Sequence, residues 1–257
     1  MTTDYQQLIQ LPRPVYGHSE SLPNQALRFE HSHPWLQFSY ARTGVLDVYT
    51  ATGRFLAPPQ RAVWIPAGVM HRVHCSAHTQ IRSLYIEAQV LKRTIDRCEV
   101  VEVTPLLTEL IQSFSGYGEL YDEEGEQGRL VQVLLDQLSR AASANSMLPL
   151  PTDLRLGPLI TRLQQQPDTD FSLNEWAQHQ QTSEKTISRL FKQQTGLSFR
   201  LWRQRLRLLS ALPLLEQQQP VTAVALACGY ESISAFIHAF DQYFGCTPGE
   251  FFRPVSQ

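Results

Sequence analysis

Apolar positions recur at helical spacing through the last third of the chain and alternate in short runs through its first third. In the last third, Leu173, Trp176 and Ala177 stand at i, i+3 and i+4, as on one helical face. The polar stretch Gln180-Gln181-Thr182-Ser183 follows, with Ser183 placed to cap a second helix. On that helix Ile187, Leu190 and Phe191 repeat the spacing, and Thr195-Gly196 ends it. The same order then returns: Val221, Val224 and Ala225, a turn at Cys228-Gly229-Tyr230, a capping Ser232, and an apolar face of Phe236, Ala239 and Phe240. Phe191 to Gly196 and Phe240 to Gly245 share one spacing. The pattern predicts two helix-turn-helix units joined by a long helix over Ser198 to Gln217, which Pro213 should kink or end early. Leu154 to Gln165, capped by Asp153 or Thr152 and stopped by Pro167, reads as the helix that precedes them.

Residues 1–26 carry Pro12, Pro14 and Pro23 with little periodicity and read as an irregular lead-in. From Leu27 to Ala88 come W-L-Q-F-S-Y, V-L-D-V-Y-T, A-V-W-I-P and I-R-S-L-Y-I-E, short runs bounded by turns such as Thr43-Gly44 and Thr52-Gly53. They predict a small antiparallel barrel or sandwich. Val103 to Phe114 and Gly128 to Ala142 are helical in pattern. On the second of these, Leu130, Val131, Leu134, Leu135 and Leu138 form a broad apolar stripe, which packs on the barrel or on a second subunit. Pro149 and Pro151 mark a linker. The boundaries become 1–146 for the first domain, 147–152 for the linker and 153–257 for the second domain.

Composition narrows the class. A chain of 257 residues, 42% hydrophobic, suits two modest domains with cores of their own. No run is long enough to span a membrane and no secretory leader pattern is visible, so cytoplasmic residence is expected. Cys75, Cys98, Cys228 and Cys246 have no paired spacing and read as reduced thiols in the role of small hydrophobes. Net charge is −2, but Lys185, Arg189, Lys192, Arg200, Arg203, Arg205 and Arg207 cluster against the single acid Glu184. Such a run meets phosphates, or else is a solvated helix face.

Three segments carry a family likeness: S-E-K-T-I-S-R-L-F-K-Q-Q-T-G-L-S-F, V-A-L-A-C-G-Y-E-S-I-S-A-F-I-H-A-F and F-G-C-T-P-G-E-F-F. Residues 172–252 resemble the DNA-binding domain of the AraC/XylS family of bacterial transcription regulators. The resemblance implies an α+β chain: an N-terminal cupin-like antiparallel β-barrel with following helices, and a C-terminal all-α double helix-turn-helix domain. It implies double-stranded operator DNA as partner, a small-molecule effector, a homodimer formed through the helices after the barrel, and RNA polymerase as a partner if the protein activates. Matched residue by residue, Lys185, Ser188, Arg189 and Lys192 face DNA from the first unit, with Arg189 the best base reader. Ser232, Ser234, Ile237 and His238 do so from the second. The acidic Asp241 stands where relatives often carry a base, which leaves the second unit with weak charge attraction. The joining helix, roughly 30 Å if straight, is close to the ~34 Å of one duplex turn.

The first domain adds His31-Ser32-His33 and Pro66-Ala67-Gly68-Val69-Met70-His71, which resemble the two cupin motifs H-x-H and P-x-G-x-x-H. Strand alternation turns His31 and His33 to one side. Where metal-binding cupins place a glutamate, this chain has Gln37. Three readings stand open. His31, His33, Gln37 and His71 hold a divalent transition metal as cofactor. The interior is an effector pocket contacted by His33, Gln37, Tyr40, Trp64 and His71. Or the histidines hydrogen-bond at the barrel mouth. The expected function is a non-enzymatic, DNA-binding transcriptional regulator. The alternative is a metal-dependent cupin enzyme, an oxygenase or isomerase, with a helical appendage.

Overall fold

The computed structural model describes residues 8, 10–17, 29–75, 79–144 and 146–252. The chain forms two compact units, Met1–Thr50 with Phe55–Ser146, and Ala51–Arg54 with Met147–Gln257.

The first unit is an antiparallel β structure followed by two helices. Its strands are β1 (Val15–Tyr16), β2 (Leu36–Thr43), β3 (Leu46–Thr50), β4 (Gly53–Ala57), β5 (Arg61–Ile65), β6 (His71–Cys75), β7 (Gln80–Ile81), β8 (Leu84–Ile86) and β9 (Glu99–Glu102). The larger sheet runs β1-β8-β2-β5-β9, with β7 also on β2; in the smaller, β3 lies between β4 and β6. Central β2 pairs Gln37 with Ile65 on one side and Tyr85 on the other. Because successive side chains on a strand point to opposite faces, β2 is divided. Leu36, Phe38 and Tyr40 join Trp64, Leu84 and Ile86 on one face. The same core takes in Leu107, Ile111 and Phe114 of α1 (Pro105–Ser115) and Val131, Leu134, Leu135 and Leu138 of α2 (Glu126–Arg140).

The lead-in was read as irregular, yet Val15–Tyr16 pairs with β8 and both side chains are buried. Of that stretch, residues 1–7, 9 and 18–26 lie outside the described residues. The α2 stripe is the inner face of its helix: Leu134 and Leu138 are 0% exposed within a single chain, so these residues form core and no subunit contact. Each such leucine contributes about 1.5–3 kcal/mol by leaving water, which a free surface awaiting a partner would forgo.

The second unit is helical. Residues expected as linker include a short strand, β10 (Met147–Pro149), with Leu148 buried and Pro149 O accepting from Trp202 Nε1 at 2.7 Å. The helices are α3 (Gly157–Gln165), α4 (Leu173–His179), α5 (Glu184–Thr195), α6 (Phe199–Glu216), α7 (Val221–Ala227), α8 (Ile233–Phe244) and α9 (Pro248–Phe251). Helix α3 starts three residues later than the sequence suggested. Asp153 gives its carboxylate to the Arg155 backbone and guanidinium rather than to a helix N-terminus, and Leu154 is 91% exposed. Helix α6 carries the core residues Trp202, Leu206, Leu209, Leu212 and Leu215, and the ring of Phe191 packs edge-on against Trp202 at 5.5 Å. Pro213 was expected to kink or stop this helix; the helix continues to Glu216, with buried Leu212 and Leu215 flanking the proline.

Candidate nucleic-acid interface and histidine cluster

Each helix-turn-helix unit is fixed by local chemistry at its ends. Ser172 and Glu175 form a reciprocal capping box on α4: Ser172 N donates to Glu175 Oε2 at 2.6 Å and Glu175 N to Ser172 Oγ at 3.2 Å. Ser183 Oγ accepts from Thr186 N to start α5, and Gly196 at φ 74° closes it. Ser232 Oγ accepts from Ala235 N to start α8, and Gly245 at φ 80° closes that helix. With Ile187 and Phe191 inward, Lys185, Ser188, Arg189 and Lys192 share the exposed side of α5. On α8, Ser234 and His238 are exposed, Ser232 caps, and Ile237 is half-buried. The two outward faces differ in charge. Between residues 208 and 252 there is no lysine or arginine, while Glu231, Asp241 and Glu250 are exposed.

The basic cluster divides. Lys185, Arg189, Lys192 and Arg200 are exposed. Arg203 instead donates to the carbonyl oxygens of Phe171 at 3.3 Å and of Thr169, and Arg207 Nε donates to Pro167 O at 2.9 Å. Arg205 lies 5.5 Å from the Tyr243 ring. Arg203 and Arg207 therefore pin the loop before α4, a role that their i, i+4 spacing on α6 could have signalled.

In the first unit, His31, His33, Gln37 and His71 are all buried. Gln37 Oε1 lies 2.9 Å from His33 Nε2 and 3.2 Å from His71 Nε2. The other ring nitrogen of each histidine faces a backbone carbonyl: His33 Nδ1 to Trp35 O at 2.8 Å, His71 Nδ1 to Val69 O at 2.9 Å, His31 Nδ1 to Phe29 O at 3.0 Å. A carbonyl only accepts, so each Nδ1 carries the ring hydrogen. Burial, the largest cause in each case, lowers the pKa of all three, that of His71 to about 3, which keeps the rings neutral.

Tyr40 and Trp64, expected beside these groups, lie on the opposite face. They pack in the core under α1 and α2, with Tyr40 Oη 3.5 Å from Thr108 Oγ1 and Trp64 edge-on to Phe38. Counting by two from Gln37 leads to Trp35, which the sequence reading missed. Its ring stacks on His33 at 5.7 Å with planes 5° apart, and Tyr85, the strand partner of Gln37, lies 4.8 Å from His33. A shallow cavity of about 120 Å³ lined by Glu102, Thr104, Gln137 and Arg140 lies away from the histidines.

The donor set does not fit a metal ion as arranged. Among the described residues no three or more His, Cys, Asp or Glu side chains form a group that could hold one. The Gln37 amide lies within hydrogen-bond reach of both His33 Nε2 and His71 Nε2.

Residues 14–146 match the family model of an AraC-like ligand binding domain, and residues 176–254 match that of a helix-turn-helix domain. The chain is 33% identical over 221 residues to the HTH-type transcriptional regulator NimR of Escherichia coli strain K12, spanning 86% of this chain and 81% of that protein. It is 33% identical over 98 residues to the HTH-type transcriptional activator RhaR of Mannheimia succiniciproducens, spanning 38% of this chain and 36% of that protein. ToxT of Vibrio cholerae aligns at 10% identity and a TM-score of 0.39, over 88% of this chain and 91% of its own.

Proposed function

Because the chain belongs to the AraC family of helix-turn-helix transcriptional regulators, we propose that it reads its operator unequally with two recognition helices and senses its effector around the histidine cluster. The observation that carries the DNA reading is the exposed face Lys185, Ser188, Arg189 and Lys192 on a helix capped at both ends. Arg189 takes a guanine through its two-pronged guanidinium, and Lys185 and Lys192 neutralise phosphates. Helix α8 enters the next major-groove segment with Ser234, Ile237 and His238. Its acidic surroundings leave it to base edges and DNA shape rather than charge. The 18 residues of α6 rise about 27 Å, within reach of the spacing between successive groove faces.

Effector recognition rests on His33, Gln37 and His71, with Trp35 and Tyr85 as the aromatic walls in place of Tyr40 and Trp64. Homodimerisation uses the outward side of α1 and α2, where Leu106 and Val133 are 53% and 46% exposed, since the inner stripe is core. Contact with RNA polymerase follows if the protein activates transcription. No helix among the described residues is long and apolar enough to cross a membrane. The relatives are named transcriptional regulators and activators, which leaves the metal-enzyme alternative without support.

The test is a mobility-shift titration with the DNA flanking the protein's own gene, using wild type and Arg189→Ala. Specific retardation that the substitution weakens supports the reading. Equal retardation of random DNA by both proteins would remove it.

A further inference from the structure

The carbonyl partners of the histidine cluster fix where its ring hydrogens lie. His33 and His71 each donate from Nδ1 to a backbone carbonyl, so each Nε2 presents a lone pair toward the Gln37 side chain. Two lone pairs facing a third, on an amide oxygen, would repel. Turning the amide half a rotation about its last bond keeps its shape and brings the NH₂ group to the same place. That group has two hydrogens, one for each Nε2.

We infer that Gln37 takes the place of a metal ion: its NH₂ bridges His33 and His71, locks both as Nδ1–H tautomers, and keeps the cluster metal-free. Several features of a transition-metal site are present. The rings are buried, their outer nitrogens are held by carbonyls as outer-shell partners hold metal-bound histidines, and His31 lies 4.2 Å from His71 between ring centroids. Glutamate at position 37 would have the same length but no hydrogens. Its oxygens would face the two Nε2 lone pairs, an arrangement a divalent cation resolves by accepting all of them. Gln37→Glu should therefore turn the cluster into a site for one zinc or nickel ion.

The experiment uses full-length, tag-free wild type and Gln37→Glu, each dialysed against zinc or nickel and then desalted. Metal content, thermal unfolding with and without chelator, and long-range proton–nitrogen spectra of the histidines are recorded. The expected result is wild type without bound metal, unchanged in midpoint, and showing His33 and His71 with hydrogen on Nδ1 and an unmetallated Nε2. The variant should hold one ion per chain, with a midpoint that rises with metal and falls back with chelator. Stoichiometric metal in wild type, or hydrogen on either Nε2, overturns the inference, as does a folded variant indifferent to metal. If the glutamate variant fails to fold, the wild-type metal content and spectra decide alone: either overturning signal sinks the inference, and both expected ones sustain it. None of these readouts depends on DNA binding.

Discussion

A Cβ added at Gly229 would fall 2.8 Å from Cζ of Arg207 and 2.7 Å from Cα of Asp168. The turn of the second helix-turn-helix unit thus lies against the arginine that pins the loop before the first. Gly229 is also at φ 75°, where side chains are strained. Gly229→Ala should lower stability by about 2 kcal/mol or more, adding overpacking to the backbone cost. Gly196→Ala, at φ 74° with nothing within 4 Å of the new Cβ, should cost only about 1 kcal/mol. Urea unfolding followed through the helical signal compares the two; equal losses would mean that the packing against Arg207 has no energetic weight.

Charge removal should separate the arginines by role. Arg189→Ala is expected to weaken specific operator binding by about 1–3 kcal/mol and relax preference at one base pair. Lys192→Ala should weaken binding to every sequence and flatten the salt dependence. Arg203→Ala should instead lower the unfolding midpoint, because it releases the carbonyls of Phe171 and Thr169. Filter-binding titrations at several salt concentrations, paired with unfolding curves, sort the three.

Replacing Leu134 and Leu138 with glutamate should unfold or aggregate the protein, since both are wholly buried and even alanine at one such site costs about 2–5 kcal/mol. Val133→Glu, one residue away on the outer face, should leave the fold intact and, if the proposed homodimer forms there, yield a monomer. Sedimentation velocity with circular dichroism reads both; a folded monomer from the leucine pair would show the stripe to be an interface after all.

Acid should destabilise the first unit through its histidines. Burial depresses the folded pKa of His71 to about 3, below the ordinary 6.5 of the unfolded chain, so the unfolded state binds more protons between these values. Stability from this residue is complete above pH 6.5 and falls as pH drops toward 3, by up to roughly 1.4 kcal/mol per pH unit. His33 and His31 shift the same way. The check is the unfolding midpoint between pH 7.5 and 4.5 for wild type and His71→Gln; the variant should show the shallower decline.

The double helix-turn-helix was legible because its signals are local. Ser172, Ser183, Ser198 and Ser232 stand directly before their helices, and Gly196 and Gly245 directly after theirs. What escaped was what locality cannot carry. A stripe such as Leu134 and Leu138 announces burial without saying against what. Val15–Tyr16 is too short to show a period. Thr152 and Asp153 have the chemistry of caps, but Asp153 is engaged by Arg155. Aromatic character alone points to Tyr40 and Trp64, whereas alternation from Gln37 excludes Tyr40 and selects Trp35.

Strand β2 places Gln37 among the histidines and its chain neighbour Phe38 in the core beneath the helices. One planar, nearly inextensible peptide separates them. A molecule that draws the amide away from His33 and His71 therefore tugs the floor on which Leu107, Ile111 and Leu134 rest. The covalent connection from the histidine face to the core beneath the helices is one peptide long.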